Sequence, residues 1–200
     1  MESYRGIAID VPDDVYPPSD DSFLLADYAR HLKGSILEIG CGSGIATLAC
    51  AKSSPDNLVL GVDISGSAVK CAKQNADKNL ITNALFMTSD LFSQVGGQKF
   101  DAIMFNPPYL PTEEGERLKD PLNAAFDGGK DGRAVLDKFL GEFDHYLKPG
   151  GTLLLIHSSL NDVEKTRERL EAIHYKVRIM DNEDFFFESI FLLKAEKPNV

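Results

Sequence analysis

Short apolar runs alternate with segments of helical periodicity along most of the chain. Seven of the runs have the length and aliphatic content of buried strands, and we predict strands over residues 35–39, 58–62, 85–88, 102–105, 152–157, 177–180 and 190–194. Between or before them the periodicity predicts helices over residues 22–32, 45–52, 67–78, 134–146 and 162–174. This alternation indicates an α/β fold, in which helices cover both faces of a mainly parallel sheet. No helix separates the last two strands, so we expect them to be antiparallel neighbours.

The chain of 200 residues is long enough for one domain with a buried core. We therefore predict a single domain over residues 1–200, with an N-terminal segment and the first helix in residues 1–34. Residues 110–133 fit neither a strand nor a helix pattern, although they directly follow a strand. Because this stretch is rich in Gly, Pro and charge, we expect a functional loop on the substrate side.

The formal net charge is −10, which opposes direct binding to the phosphates of nucleic acids. Six aspartates and no Lys or Arg lie between residues 10 and 27. This acidic stretch is either a solvated surface or the mouth of a site that favours cations. Three cysteines without a C-x-x-C pair and four scattered histidines predict no metal site and suit the reducing cytoplasm. The sequence shows no apolar run long enough for a membrane span and no signal-peptide pattern.

The first chemical signal is a glycine turn between the first predicted strand and the following helix. Gly40, Gly42 and Gly44 let the backbone turn sharply and approach a ligand closely. The dinucleotide fingerprint needs a glycine where Ile45 stands, so the pattern disfavours NAD. Glu38, just before the turn, would repel a pyrophosphate and tolerate a cationic ligand. The alternative is a tight strand–helix turn that binds nothing.

Two further acids follow the second and third predicted strands. Asp63 can accept hydrogen bonds from both hydroxyls of a ribose. Alternatively it caps the next helix, although Ser65 or Ser67 can do that instead. Asp90 can accept a hydrogen bond from an adenine amino group, and Leu91 can either cover the ring or belong to the core.

The most specific signal is Asn106-Pro107-Pro108-Tyr109, directly after the fourth predicted strand. The two prolines end the strand and fix the backbone. The Asn106 side chain and the Pro107 carbonyl are weakly basic acceptors, which can hold an NH₂ group while Tyr109 stacks on its planar face. The alternative is a structural Pro-Pro turn.

In this order the three signals resemble the class I S-adenosylmethionine-dependent methyltransferases. More narrowly, they resemble the HemK-type protein-(glutamine-N5) methyltransferases of peptide-chain release factors, in the branch found in archaea and eukaryotes. Residues 15–25 resemble the segment with which that family begins, and residues 127–133 resemble its loop after the catalytic motif. The resemblance covers essentially the whole chain.

The resemblance implies a Rossmann-like sheet of seven strands in the order 3-2-1-4-5-7-6, with strand 7 antiparallel and the ligand across the carboxyl ends of the strands. It implies that S-adenosylmethionine is the cofactor and that the acceptor is held by Asn106, Pro107, Pro108 and Tyr109. The residues expected to hold the cofactor are Ser22, Glu38, Gly40, Gly42, Gly44, Asp63, Asp90, Leu91 and Asn106.

The activity implied by the resemblance is methylation of the glutamine amide in the Gly-Gly-Gln motif of a class I release factor. The same four-residue motif also serves enzymes that methylate amino groups of adenine or guanine. The net charge of −10, together with the lack of a basic cluster in residues 110–133, favours a protein acceptor. A catalytically silent partner-binding domain is a third reading, disfavoured because every chemical position is filled.

The third predicted strand has a neighbour on one side only in the implied sheet. Residues 80–87 are largely apolar and lack the Lys or Pro with which proteins usually protect such an edge. Enzymes of the branch that this chain resembles are activated by a small zinc-binding subunit. We expect that subunit to dock here by strand addition, on Leu85, Phe86 and Met87. The alternative is that alternate side chains of the strand pack under the flanking helices.

Overall fold

The computed structural model, which describes residues 2–112 and 125–199, contains nine strands and five α-helices in the described ranges. The strands are β1 (Glu2–Tyr4), β2 (Ile7–Ile9), β3 (Ser35–Ile39), β4 (Leu58–Asp63), β5 (Ala84–Thr88), β6 (Phe100–Phe105), β7 (Leu147–Ser158), β8 (Lys176–Asp184) and β9 (Ser189–Glu196). The helices are α1 (Asp20–Ala29), α2 (Ile45–Ser53), α3 (Gly66–Lys78), α4 (Ala134–Glu142) and α5 (Val163–Ala172).

Seven of the strands form one sheet in the order β5-β4-β3-β6-β7-β9-β8, which confirms the predicted order. The five strands from β5 to β7 are parallel, and β9 is antiparallel to both of its neighbours. Ile39 pairs with Val62 on one side and with Phe105 on the other. The carboxyl ends of the central strands therefore lie level at one edge, where open α/β sheets bind ligands.

The sheet is buried on both faces, as its nearly continuous apolar strands predict. Successive residues of β3 belong to different cores: Ile36 packs with α1, α2 and α3, whereas Leu37 packs with α4 and α5. The central strands are held from both sides, so the loops at their carboxyl ends stand on a rigid base.

Several elements differ from their predicted limits. A hairpin of β1 and β2 was not predicted, because strands of three residues leave almost no periodic pattern. It is clamped to α3 by Asn79, whose side chain accepts from the Ala8 N–H at 2.9 Å and donates to the Ala8 carbonyl at 2.8 Å. The predicted helix over residues 134–146 ends in a 3-10 turn at Phe143–Tyr146. Much of the predicted loop over residues 110–133 lies outside the described residues.

The edge strand β5 requires one correction. Phe86 was expected to be a docking contact, but its side chain is only 7% exposed. A methyl group at Gly61 would come within 2.8 Å of its ring, so Phe86 packs closely over the backbone of β4. Because side chains alternate along a strand, Leu85 lies on the opposite face, where it is 69% exposed. None of the helices in the described part of the chain is long and apolar enough to cross a membrane.

Candidate active site

A cavity of about 760 Å³ opens at the carboxyl edge of the sheet. This volume suits a ligand of nucleoside size together with the end of a second substrate. The cavity is lined by the glycine turn, the ends of β4 and β5, the segment before α1 and the loop after β6. Of the residues predicted to form the site it is lined by Ser22, Glu38, Gly40, Gly42, Asp63, Asp90, Leu91, Asn106, Pro107, Pro108 and Tyr109.

The glycine turn has left-handed backbone angles at Gly40, Gly42 and Gly44, with φ values of 66°, 51° and 88°. Only glycine adopts such a run without strain. A methyl group at Gly42 would meet no neighbouring atom within 4 Å, so the backbone is open to a ligand there. Gly44 is not a cavity residue. Its hypothetical Cβ would lie 3.0 Å from that of Ala72, so it allows α2 and α3 to approach each other.

Asp63 ties the end of β4 to the glycine turn. Its Oδ2 accepts from the Gly42 N–H at 2.9 Å and its Oδ1 accepts from the Ser65 N–H at 2.8 Å. Burial raises the pKa of this carboxyl, while the backbone donors oppose the shift. Ser65 caps α3, since its hydroxyl accepts from the Ala68 N–H at 3.3 Å. Asp63 is therefore not needed as the cap.

Glu38 is a carboxyl group almost out of contact with solvent, only 4% exposed, on the cavity wall. It accepts a hydrogen bond from the Thr47 hydroxyl. Burial raises the pKa of Glu38 to about 8, and the negative charge of Asp63 adds to the shift. A cation in the cavity would favour the ionised form and reverse much of this shift. Glu38 therefore suits a ligand that carries a positive group.

Three other residues predicted to bind the cofactor also line the cavity. Ser22 lines the cavity from α1, and Asp90 and Leu91 line it beyond β5. Leu91 has a left-handed backbone angle, with φ of 46°, directly after the exposed Asp90. The strand end and this turn thus present one acceptor and one apolar side chain next to each other.

On the other side of the cavity, Asn106 is fixed by Asp21. The Asn106 Nδ2 donates to the Asp21 Oδ2 at 3.0 Å, which sets the orientation of the amide. The Asn106 Oδ1 is buried and has no hydrogen-bond partner among the residues that the structure describes. A buried acceptor left in this state costs roughly 1–3 kcal/mol. An NH₂ group entering the cavity would supply the missing donor.

Asp21 also holds Tyr109, although the sequence does not predict it as a site residue. Its Oδ2 accepts from the Tyr109 hydroxyl at 3.1 Å, and its Oδ1 accepts from the Ser22 N–H at 2.6 Å. Burial, and next the charge of Asp21, raise the pKa of Tyr109, so this group remains a neutral donor. The Tyr109 carbonyl accepts from the Asn161 Nδ2 at 2.8 Å. We call residues 106–109 the acceptor loop, because they are predicted to hold the methyl acceptor. Its side chains and its backbone are thus both fixed by hydrogen bonds.

Asp21 could be found from the sequence only as one acid among six. The partners of its carboxyl lie 85 and 88 positions further along the chain, so no local pattern reports the contact. Its one local signal is its place in residues 15–25, which carry part of the family resemblance. Within the described ranges, no group of three or more His, Cys, Asp or Glu side chains can hold a metal ion.

A seven-stranded sheet with one antiparallel strand, a glycine turn and acids after the second and third parallel strands define a class I methyltransferase, which uses S-adenosylmethionine. The family model described as "Methyltransferase small domain" matches residues 20–120. The chain belongs to the HemK-type protein-(glutamine-N5) methyltransferases, as the following relatives show.

A relative from Methanocaldococcus jannaschii, named "Putative protein N5-glutamine methyltransferase", is 45% identical over 192 residues, which are 96% of each chain. The methyltransferase HEMK2 of Homo sapiens is 33% identical over 162 residues, with 76% of this chain and 75% of the relative covered. The chain spans only 57% of the release factor glutamine methyltransferase of Geobacter sulfurreducens.

Among solved structures, the E. cuniculi Mtq2-Trm112 complex superimposes with a TM-score of 0.71 at 26% identity. The match covers 92% of this chain and 99% of the other. That complex is described as responsible for the methylation of the translation termination factor eRF1.

Proposed function

We propose that this chain transfers the methyl group of S-adenosylmethionine to the glutamine side-chain amide of the Gly-Gly-Gln motif in a class I release factor. The observation that carries the proposal is the Oδ1 of Asn106, which has no hydrogen-bond partner among the described residues and can accept from an amide N–H in the cavity. Two relatives, an N5-glutamine methyltransferase and a release factor glutamine methyltransferase, support the same assignment.

The protein contributes alignment in this reaction. An amide nitrogen is a poor nucleophile because its lone pair is delocalised into the carbonyl. The cofactor supplies a methyl group that is already activated by a positively charged sulfur. Holding two reactants in line can lower a barrier by roughly 7–11 kcal/mol. The Asn106 side chain and the Pro107 carbonyl accept from the NH₂ group, while Tyr109 packs on its face. Neither acceptor is a strong base, and the proton leaves once the methylated nitrogen has become acidic.

The opposite wall of the cavity fits the cofactor. Glu38 offers a buried carboxyl to the ammonium group, and Asp63 offers its carboxylate to the ribose hydroxyls. Asp90 accepts a hydrogen bond from the adenine amino group, and Leu91 covers the adenine ring. Gly40 and Gly42 let the backbone approach the cofactor closely. Gly44 contributes indirectly, since it permits the packing of α2 that shapes the turn. Ser22 and Asn106 complete the wall.

A nucleobase amino group is the competing acceptor, because it can bind the same pair of acceptors. The net charge of −10 opposes it. The deciding experiment measures transfer of labelled methyl groups to a folded release factor, to the same factor with the Gly-Gly-Gln glutamine replaced by asparagine, and to DNA and RNA. We expect label in the intact factor alone. Labelled nucleic acid with an unlabelled factor would establish the competing function.

We also propose that a small zinc-binding subunit activates the chain by docking at β5. Leu85 and Leu58 are 69% and 67% exposed, and Leu85 pairs with Leu60 across the two strands. With Met87, these leucines form an apolar edge patch on one face of β4 and β5. Exposed apolar surface beside the open edge of a strand is suited to strand addition. The Mtq2-Trm112 structure, in which a relative of this chain is seen in complex, supports this proposal.

The edge patch is tested best at Leu85. We expect Leu85→Asp to abolish a one-to-one complex with the subunit in sedimentation, and the free chain to be poorly soluble. Leu160→Asp is the matched control, because Leu160 is also exposed but lies after β7, away from the patch. Phe86→Lys cannot serve, since it would disrupt the core. A complex that forms equally with Leu85→Asp would place the subunit elsewhere.

A further inference from the structure

The tip of the β8–β9 hairpin exposes three consecutive aromatic residues. Phe186 and Phe187 are 91% and 86% exposed and Phe185 is 44% exposed, whereas the phenylalanines of the central strands and of α4 are buried. The Phe186 and Phe187 rings meet edge to face, with centroids 4.6 Å apart. Large exposed aromatic groups are unfavourable in water and mark surfaces that another molecule covers. We call residues 185–187 the aromatic turn.

The aromatic turn is held in place by hydrogen bonds on both sides. The Phe185 N–H donates to the Glu188 carbonyl at 2.7 Å and closes the turn. The Ser158 hydroxyl donates to the Glu188 carboxylate at 2.8 Å, and the Ser189 N–H donates to the Ser159 hydroxyl at 3.0 Å. A surface that is fixed before binding loses less entropy when a partner docks.

The aromatic turn stands on the acceptor side of the cavity mouth. Ile190 pairs with Ser158, so the tip projects from the edge of the sheet where the parallel strands end. Beyond Ser158, Asn161 donates to the Tyr109 carbonyl, which joins this region to the acceptor loop. The Glu188 carboxylate accepts from the Ser158 hydroxyl three residues before Asn161, and its charge adds to burial and to the charge of Asp21 in raising the pKa of Tyr109. A bound acceptor therefore has the aromatic turn beside it.

The hairpin that carries the aromatic turn has only acidic charged side chains near its tip. No Lys or Arg occurs from residue 179 to residue 193, whereas four acids do: Asp181, Glu183, Asp184 and Glu188. The hairpin also lies against α1, because the Tyr28 hydroxyl donates to the Met180 carbonyl at 3.2 Å. Phosphates are repelled by such a surface. A protein segment with basic side chains is attracted, and Arg side chains also bind well to aromatic faces.

We propose that the aromatic turn is the docking element for the folded substrate protein, and that it binds a basic and partly apolar segment next to the acceptor glutamine. This proposal rests on the proposed function and adds the surface that recognises the protein around its methylated tripeptide. The cavity recognises the amide, whereas the aromatic turn distinguishes a folded substrate from a free peptide.

The test compares two substrates of the activated enzyme: a folded class I release factor and a short peptide that spans only its Gly-Gly-Gln tripeptide and immediate neighbours. We expect the double variant Phe186→Ser/Phe187→Ser to raise KM for the folded factor by about tenfold or more. Its kcat should stay within about twofold of the parent, and its KM for the peptide should not change. The control is Ile173→Ser, which removes another exposed apolar side chain, at the end of α5 and away from both the edge patch and the aromatic turn, and should alter neither value.

Binding of the folded factor to the enzyme with S-adenosylhomocysteine gives a second readout that needs no turnover, and we expect the same weakening in the double variant. An unchanged KM and affinity for the folded factor would overturn the docking proposal while the proposed function stood. If an oligonucleotide binds the parent but not the double variant, the aromatic turn binds nucleic acid and the docking proposal is wrong. If the parent self-associates and the double variant does not, the aromatic turn binds a second copy of the chain and the proposal is likewise wrong. A parent enzyme that labels neither protein substrate would refute the proposed function itself.

Discussion

The two halves of the cavity treat their buried polar groups differently. On the cofactor half, Asp63 already accepts two backbone N–H groups and Glu38 accepts from Thr47. On the acceptor half, Asn106 is fixed through its nitrogen and its oxygen has no partner in the described part of the chain. The carboxyl groups of the first half are therefore already hydrogen-bonded in the free protein. In the second half the Asn106 oxygen stays available to accept a hydrogen bond. Loss of a residue should therefore affect affinity on the first half and rate on the second.

The largest expected effect is on rate and comes from Asn106→Ala. In the proposed reaction Asn106 orients the acceptor amide, so we expect kcat to fall by at least about 100-fold, or 2.7 kcal/mol in barrier height. The dissociation constant of S-adenosylmethionine should change far less. Single-turnover transfer and calorimetry measure the two quantities, with the exposed Asn182→Ala as the control. A variant that keeps more than about a tenth of the parental rate would contradict the assignment.

The next effect is on affinity and comes from Asp63→Ala. Losing hydrogen bonds to a charged acceptor costs roughly 1.5–3 kcal/mol, so the cofactor should bind at least about tenfold more weakly. At saturating cofactor we expect kcat to stay within about threefold of the parent. Asp56→Ala, on an exposed loop at the other end of β4, is the control. Equal affinities in a calorimetric titration would remove Asp63 from the cofactor half.

A smaller effect on rate is expected from Asp21→Asn. The asparagine side chain has a donor NH₂ group in place of one of the two acceptor oxygens of Asp21. It therefore stops fixing the orientation of Asn106. We expect kcat to fall by about tenfold, with little change in cofactor affinity or melting temperature. The neighbouring Asp20 is exposed, so Asp20→Asn retains the parental kcat. If both variants behave alike, the acidic stretch acts through its charge and not through Asp21.

The smallest effect is a dependence of cofactor affinity on pH. Without cofactor, the pKa of Glu38 is raised to about 8 by burial, so the folded protein keeps a proton that the unfolded chain loses near pH 4.5. Glu38 therefore stabilises the cofactor-free fold at low pH, and this contribution falls as the pH rises towards 8. In the proposed site the ammonium group of the cofactor lies at Glu38 and favours its ionised carboxylate, so binding should release close to one proton. Affinity should increase about threefold from pH 6.0 to 6.5, and Glu38→Gln should remove the dependence. An unchanged proton release in that variant would assign the titration to another group.

The sequence predicts the central part of the molecule well, for a physical reason. The strand Ser35–Ile39 and the start of α2 have the predicted limits because a strand buried on both faces, followed by a glycine turn, allows few other structures. The acceptor motif lies directly after β6 as predicted. These features are local, since neighbouring residues decide them.

The errors concern contacts that are not local. The bonds from Asp21 to Asn106 and Tyr109 join residues more than 80 positions apart, so the acidic stretch could not reveal which acid matters. Phe86 and Leu85 are both apolar, and only the packing of Gly61 shows which of them is buried. Gly44 fits the motif, but its contact is with Ala72 and not with the cavity.

The position of β9 between β7 and β8 has a consequence for the order of folding. β8 precedes β9 along the chain but pairs with no other strand of the described sheet, so it cannot join the sheet before β9 has formed. The four-residue connection from Phe185 to Glu188 makes the hairpin a local structure, which can close within microseconds. The parallel pairs of β3 with β4 and β6 need long crossovers and form more slowly. The two strands should therefore add to β7 as one unit, and β8 should exchange its amide hydrogens earliest among the seven strands.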